Sequence, residues 1–184
     1  MRPLVLSLLL AATMPAVVSA QDLPVVRGTM EFAPVGGVSV PFGDFNLVAE
    51  PGYNLGGTFA YYVMPSLAVG AEAAYNSYGL DDDPSDVTSL SIWEFSGNAK
   101  YLLLPGLASP YLKGTAGLFR QTVSVEGSES VSTTDFGIGG GLGMQLNLTG
   151  TKLGIFGEGV VNMAFTEESE TTYYTLRLGL NYRN

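Results

Sequence analysis

Residues 171–182 read TTYYTLRLGLNY. Tyr174, Leu176, Leu178, Leu180 and Tyr182 fall on one side of an extended chain, and Tyr173, Thr175, Arg177, Gly179 and Asn181 on the other. That is the period of two of a β-strand. A helix would set Leu178 opposite Leu176 and Leu180, leaving no apolar stripe. The apolar face is bracketed by tyrosines, and the polar face carries a single charge, Arg177.

The same rhythm recurs upstream. Residues 135–148 place Phe136, Ile138, Gly140, Leu142, Met144 and Leu146 on one face. Asp135, glycines 137, 139, 141 and 143, Gln145 and Asn147 occupy the other. In residues 89–103, Trp93, Phe95, Gly97, Ala99, Tyr101 and Leu103 oppose Glu94, Ser96, Asn98, Lys100 and Leu102. In residues 67–78, Leu67, Val69, Ala71, Ala73 and Tyr75 oppose Ala68, Gly70, Glu72, Ala74 and Asn76. Adding 27–41, 53–64, 110–121 and 152–165 gives eight predicted strands. The connections at 65–66, 104–109 and 149–151 are short and uncharged. Those at 79–88, 122–134 and 166–170 are acidic or rich in Ser and Thr. Short turns at one end and longer loops at the other predict an all-β fold, a closed eight-stranded antiparallel up-and-down transmembrane β-barrel.

Alternation alone does not say which face is inside. A soluble barrel would bury the apolar face. Three features favour the inverse. The polar faces carry few charges, whereas a soluble surface carries roughly 25–35%. They are dense in glycine, which suits a crowded interior better than an exposed strand. Aromatics bracket the apolar stripes, as the girdles of a lipid-facing band do. A sheet in hydrocarbon must also close on itself. On this register the inward charges are Glu31, Glu72, Glu94, Lys100, Lys113, Asp135, Glu158 and Arg177. They are expected to form a polar network that fills the lumen, since an eight-stranded barrel has room only for side chains.

Composition narrows the function. The chain has 184 residues, 24 glycines, a net charge of −9, and neither cysteine nor histidine. Disulfide scaffolds, thiol chemistry, histidine-based triads and most catalytic zinc sites are excluded. The acidic balance gives no nucleic-acid footprint. No catalytic residue, cofactor site or metal site is assigned. The glycines at 137–143 lack the Gly-Lys-Ser/Thr of a phosphate loop. Asp81, Asp82, Asp83 and Asp86 read as a hydrated loop tip rather than a calcium site. Asn147-Leu148-Thr149 reads as an accidental sequon. Met1-Arg2, the apolar run from Leu4 to Ala12 and Val18-Ser19-Ala20 read as a signal peptide over 1–20, cut before Gln21. The barrel domain would then be 21–184, about 164 residues with net charge −10.

The chain resembles the small eight-stranded outer-membrane β-barrels of Gram-negative bacteria, the group of OmpA-like, OmpW-like and opacity-type barrels. The resemblance spans the mature chain. It rests most on GGTFAYYVMPSLAVGAEAAY within 53–78, PYLKGTAGLFR at 110–120, and 136–148 followed by LGIFGEGVVNMAF. It implies a non-enzymatic integral outer-membrane protein with a structural or surface-interaction role. Its partners would be outer-membrane lipids, the outer-membrane assembly machinery and any surface ligand met by the loops. Two other readings stay open at this point: a narrow porin-like channel for small or apolar solutes, and a secreted soluble binding barrel. Many such barrels end on an aromatic residue, whereas here Tyr182 stands third from the end.

Overall fold

The computed structural model describes residues 25–47, 49–79, 87–125, 130–166 and 170–184. The signal-peptide reading and the Asp81–Asp83 and Asp86 cluster lie outside the described residues. Eight strands follow one another: β1 (Met30–Phe42), β2 (Glu50–Met64), β3 (Leu67–Gly79), β4 (Val87–Leu102), β5 (Ala108–Val125), β6 (Val131–Asn147), β7 (Leu153–Phe165) and β8 (Glu170–Arg183). Each pairs antiparallel with the next, and β8 pairs with β1 to close the barrel. Closure leaves no edge along the wall, which is what a sheet in hydrocarbon requires.

The faces lie as the alternation predicts. Leu176, Leu178 and Leu180 are exposed on the outside of β8, Leu178 at 72%. Tyr173, Thr175, Arg177 and Asn181 are buried inside. Trp93, Phe95 and Tyr101 are exposed outside β4, while Glu94, Ser96, Asn98, Lys100 and Leu102 are buried. An aromatic row crosses three strands on the outer wall. Tyr53 and Tyr75 have ring centroids 6.2 Å apart, Tyr75 and Trp93 4.9 Å, and Trp93 stacks on Phe95 at 6.0 Å.

The β6 glycines make room for neighbours inside the barrel. A Cβ on Gly137 would lie 2.6 Å from the Phe119 ring, and one on Gly143 would lie 2.3 Å from the Tyr111 ring. One on Gly139 would meet Thr115 Oγ1 and Asn162 Oδ1, each at 2.4 Å. The outward Gly140 has nothing within 4 Å. Gly143→Ala is therefore expected to lower stability by about 1–3 kcal/mol, as overpacking does. Gly140→Ala should be neutral or slightly stabilising, because it only restricts the unfolded chain. Urea titrations of the two variants in lipid vesicles would read the difference.

Several element boundaries differ from the sequence expectation. The predicted first strand began at 27, but Gly28 has φ +94° and the ladder starts at Met30. Residues 43–47, between β1 and β2, form a 3-10 helix that carries Phe45 inward. The stretch 122–134 was expected to include a loop, yet β5 runs to Val125 and β6 begins at Val131. Thr122, Ser132, Thr133 and Thr134 are rungs of the β5–β6 hairpin. Thr122 and Ser132 hydroxyls lie 3.0 Å apart, as do those of Ser124 and Ser130. Their polarity marks the end of the apolar wall, not the end of the strands.

Candidate functional site

The lumen is filled in layers. Nearest the short turns, Glu31 of β1 is 2% exposed and gathers donors from across the barrel. Lys100 Nζ of β4 pairs with its Oε1. Its Oε2 accepts from Arg183 Nε at 2.9 Å and Asn181 Nδ2 at 3.0 Å, both on β8. Tyr62 OH of β2 adds a bond at 3.3 Å and Gln145 Nε2 of β6 one at 3.4 Å. Lys100 also lies over the Tyr62 and Tyr111 rings, 5.6 Å and 5.4 Å from their centroids. Such contacts offset the cost of removing the ammonium from water.

Above it, four charges alternate in a ring. Lys113 of β5 lies 2.5 Å from Glu72 of β3 and 3.2 Å from Glu158 of β7. Arg177 of β8 closes the circuit, 2.5 Å from Glu72 and 2.6 Å from Glu158. Tyr111 OH donates to Glu158 at 2.8 Å. The register explains how the two lysines coexist. Lys100 and Lys113 are direct cross-strand partners, which would repel. Each is drawn instead to its own carboxylates, Glu31 on one side and Glu72 with Glu158 on the other. Between the two layers is a cavity of about 10 Å³, lined by Glu31, Asn98, Lys100, Lys113 and Glu158 among others.

Further toward the long loops the lumen turns from ion pairs to mostly neutral polar groups and then to apolar ones. Glu94 is 1% exposed and accepts a bond from Ser96 Oγ at 3.1 Å. No basic nitrogen within 4.0 Å pairs with it among the described residues. Asn54 donates to Asn76 at 2.8 Å, and the hydroxyls of Ser39 and Tyr78 lie 2.7 Å apart. A plug of Phe45, Tyr78, Leu90, Ile92, Phe119, Ala164 and Tyr173 follows. Phe45 meets Tyr78 edge-on at 5.1 Å, and Tyr78 meets Tyr173 at 6.0 Å.

Of the eight inward charges expected from sequence, the structure brings Glu72, Lys113, Glu158 and Arg177 into one ring. It sets Glu31 and Lys100 in the layer below and Glu94 just above. Asp135 stands apart near the rim, half-buried, and its Oδ2 has no hydrogen-bond partner. Sequence reasoning missed Arg183, which lay one residue beyond the predicted end of the last strand. Its parity with Arg177, Gly179 and Asn181 is the signal that could have found it. Tyr62 and Tyr111 were missed because tyrosine reads as a girdle residue from sequence, yet both are buried inside.

A closed barrel with an apolar outer wall and a charged, filled interior is an outer-membrane architecture. The family model of the outer membrane protein beta-barrel domain matches residues 4–183. The chain belongs to that family. Solved outer-membrane barrels share the fold. Neisserial surface protein A is 18% identical, with a TM-score of 0.65 over 84% of this chain and 96% of its own. Ail, the attachment invasion locus protein of Yersinia pestis, is 17% identical, with a TM-score of 0.54 over 86% of this chain and 100% of its own. OprG of Pseudomonas aeruginosa is 14% identical, with a TM-score of 0.54 over 89% and 99%. No curated protein sequence matches. As an outer-membrane barrel, the chain sits in lipid along its apolar wall.

Proposed function

We propose that this outer-membrane barrel is a non-enzymatic, solute-tight protein that works through its long-loop end. One observation carries this reading. The Glu72–Lys113–Glu158–Arg177 ring fills the lumen at mid-height, with the Phe45–Tyr78–Tyr173 plug above it. Each charge in the ring is held by at least two neighbours, so none is free for acid–base work. The chain has no histidine or cysteine to supply other chemistry. Residues 1–20 would export the chain with cleavage before Gln21, and the outer-membrane assembly machinery would insert it. The short-turn end, where β1 begins and β8 ends, would face the periplasm.

Conductance in a planar bilayer tests the closed lumen. The purified, refolded barrel is expected to show no steady current above background. A sustained current that falls in Glu72→Gln would overturn this reading and favour the narrow channel. The long-loop end would meet partners outside the cell. Ail has been solved with the heparin analogue sucrose octasulfate. The present chain has a net charge of −9, which favours cationic partners over polyanionic ones.

A further inference from the structure

The outer wall changes chemistry in three steps across β3 to β6. The ladders set outward side chains side by side in rows, and each row can be read off the register. Ala73, Phe95, Leu118 and Phe136 form an apolar row. The next row toward the long loops is Tyr75, Trp93, Arg120 and Thr134. The row beyond that is Ser77, Ser91, Thr122 and Ser132. Successive rows are two residues apart along each strand, or roughly 7 Å.

Arg120 stands alone in this setting. Of the eight lysines and arginines in the chain, Lys100, Lys113, Arg177 and Arg183 point into the lumen. Arg27 precedes β1 and Lys152 precedes β7, both at the short-turn end. Among the described residues, Arg120 is therefore the only basic side chain on the outward face of a strand, and it is exposed. No described carboxylate lies within 4.0 Å of it. A guanidinium at the margin of an apolar wall needs water or an anion. Its planar fork of donors matches the oxygens of a phosphate. The Ser and Thr row beyond it carries no charge. The hydroxyls of Thr122 and Ser132 lie 3.0 Å apart, and each keeps lone pairs for a further donor.

We propose that the outer wall of β3–β6 around Arg120 holds a phosphorylated glycolipid of the outer leaflet. The acyl chains would lie along Phe95 and Leu118. The phosphate would meet Arg120 beside Trp93, and the sugar would reach the hydroxyls of Ser91, Thr122 and Ser132. A neutral hydroxyl row suits a sugar better than the ammonium of a zwitterionic headgroup, which would call for a carboxylate there. The net charge of −9 disfavours a polyanion, so recognition is of one phosphate by one guanidinium. The proposal rests on the long loops facing outward, which is what sets this wall against the outer leaflet.

The test is native mass spectrometry of the full chain, refolded in detergent micelles and given equal amounts of three lipids. These are monophosphoryl lipid A, phosphatidylglycerol and digalactosyl diacylglycerol. The barrel is expected to retain one lipid A molecule, favoured about tenfold over either competitor. Arg120→Gln should remove that preference. Arg27→Gln, at the opposite end of the barrel, should keep it. Heat-modifiable migration would show that each variant is folded. Equal retention of phosphatidylglycerol would make the wall a site for any phosphate, and equal retention of the digalactosyl lipid a site for sugar alone. Either result overturns the proposal, as does an unchanged preference in folded Arg120→Gln or the same loss in Arg27→Gln. Orientation is read separately, because the chain has no cysteine. Labelling of Ser130→Cys on intact cells by an impermeant maleimide, without lipid preference, overturns the glycolipid site and leaves the surface role standing. Absence of labelling in a folded barrel overturns both.

Discussion

Leu178→Arg is expected to destabilise the folded barrel in lipid by about 2–4 kcal/mol, whereas Thr172→Arg on the same outward face should cost about 0–1 kcal/mol. Leu178 is 72% exposed, at the middle of an outward row bounded by Tyr174 and Tyr182. A guanidinium there has neither water nor a counter-charge, and it must thin the bilayer or stretch toward its surface. Thr172 lies beyond Tyr174 toward the long loops, where headgroups and water accept a charge. Trp93 is the only tryptophan and stands on the outer wall, so its fluorescence can follow urea unfolding in vesicles. Equal midpoints for the two variants would mean that the apolar face of β8 does not face the hydrocarbon core.

Arg177→Met should cost about 3–5 kcal/mol, the range for breaking a buried ion pair by removing one partner. Arg177 is 4% exposed and joins Glu72 to Glu158. Without it, the cation shared by the two buried carboxylates is Lys113, and Tyr111 OH still donates to Glu158. Glu72→Gln added to Arg177→Met removes the surplus negative charge, and at least about 1 kcal/mol should return as coupling between the two sites. The same urea titration measures the double-mutant cycle. Additive losses would mean that the ring members act independently. The two predictions probe opposite faces of one strand, since residues 177 and 178 are adjacent.

Much of this was legible from the chain. Strict alternation in β3, β4, β6 and β8 set which side chains point inward, because a period of two leaves only two choices of face. Low charge and dense glycine on the polar faces then chose between those two. The partners of each inward charge were not legible. Lys113 meets Glu72 and Glu158 because strands far apart in sequence converge across a narrow lumen, and alternation carries no information about height along the axis. Asp135 shows the limit well. It has the right parity for the network but stands too near the rim to join it. Phe45 lies in a 3-10 helix that no alternation announces, so the plug it completes was invisible. Strand length also misled at 122–134, where hydrophilic residues read as loop although their hydroxyls pair across a hairpin.

The carboxylate of Glu31 draws its donors from Tyr62, Lys100, Gln145, Asn181 and Arg183, hence from β2, β4, β6 and β8. One residue of the first strand thereby samples every second strand of the barrel, up to a partner 152 positions away. During insertion this is expected to act as a completion check. A chain that has threaded only its first six strands leaves that carboxylate without its β8 partners, and burying it in that state is unfavourable. Sealing is thus coupled to arrival of the last strand. A chain shortened before Asn181 should stall as an open, protease-sensitive sheet instead of settling into a smaller barrel.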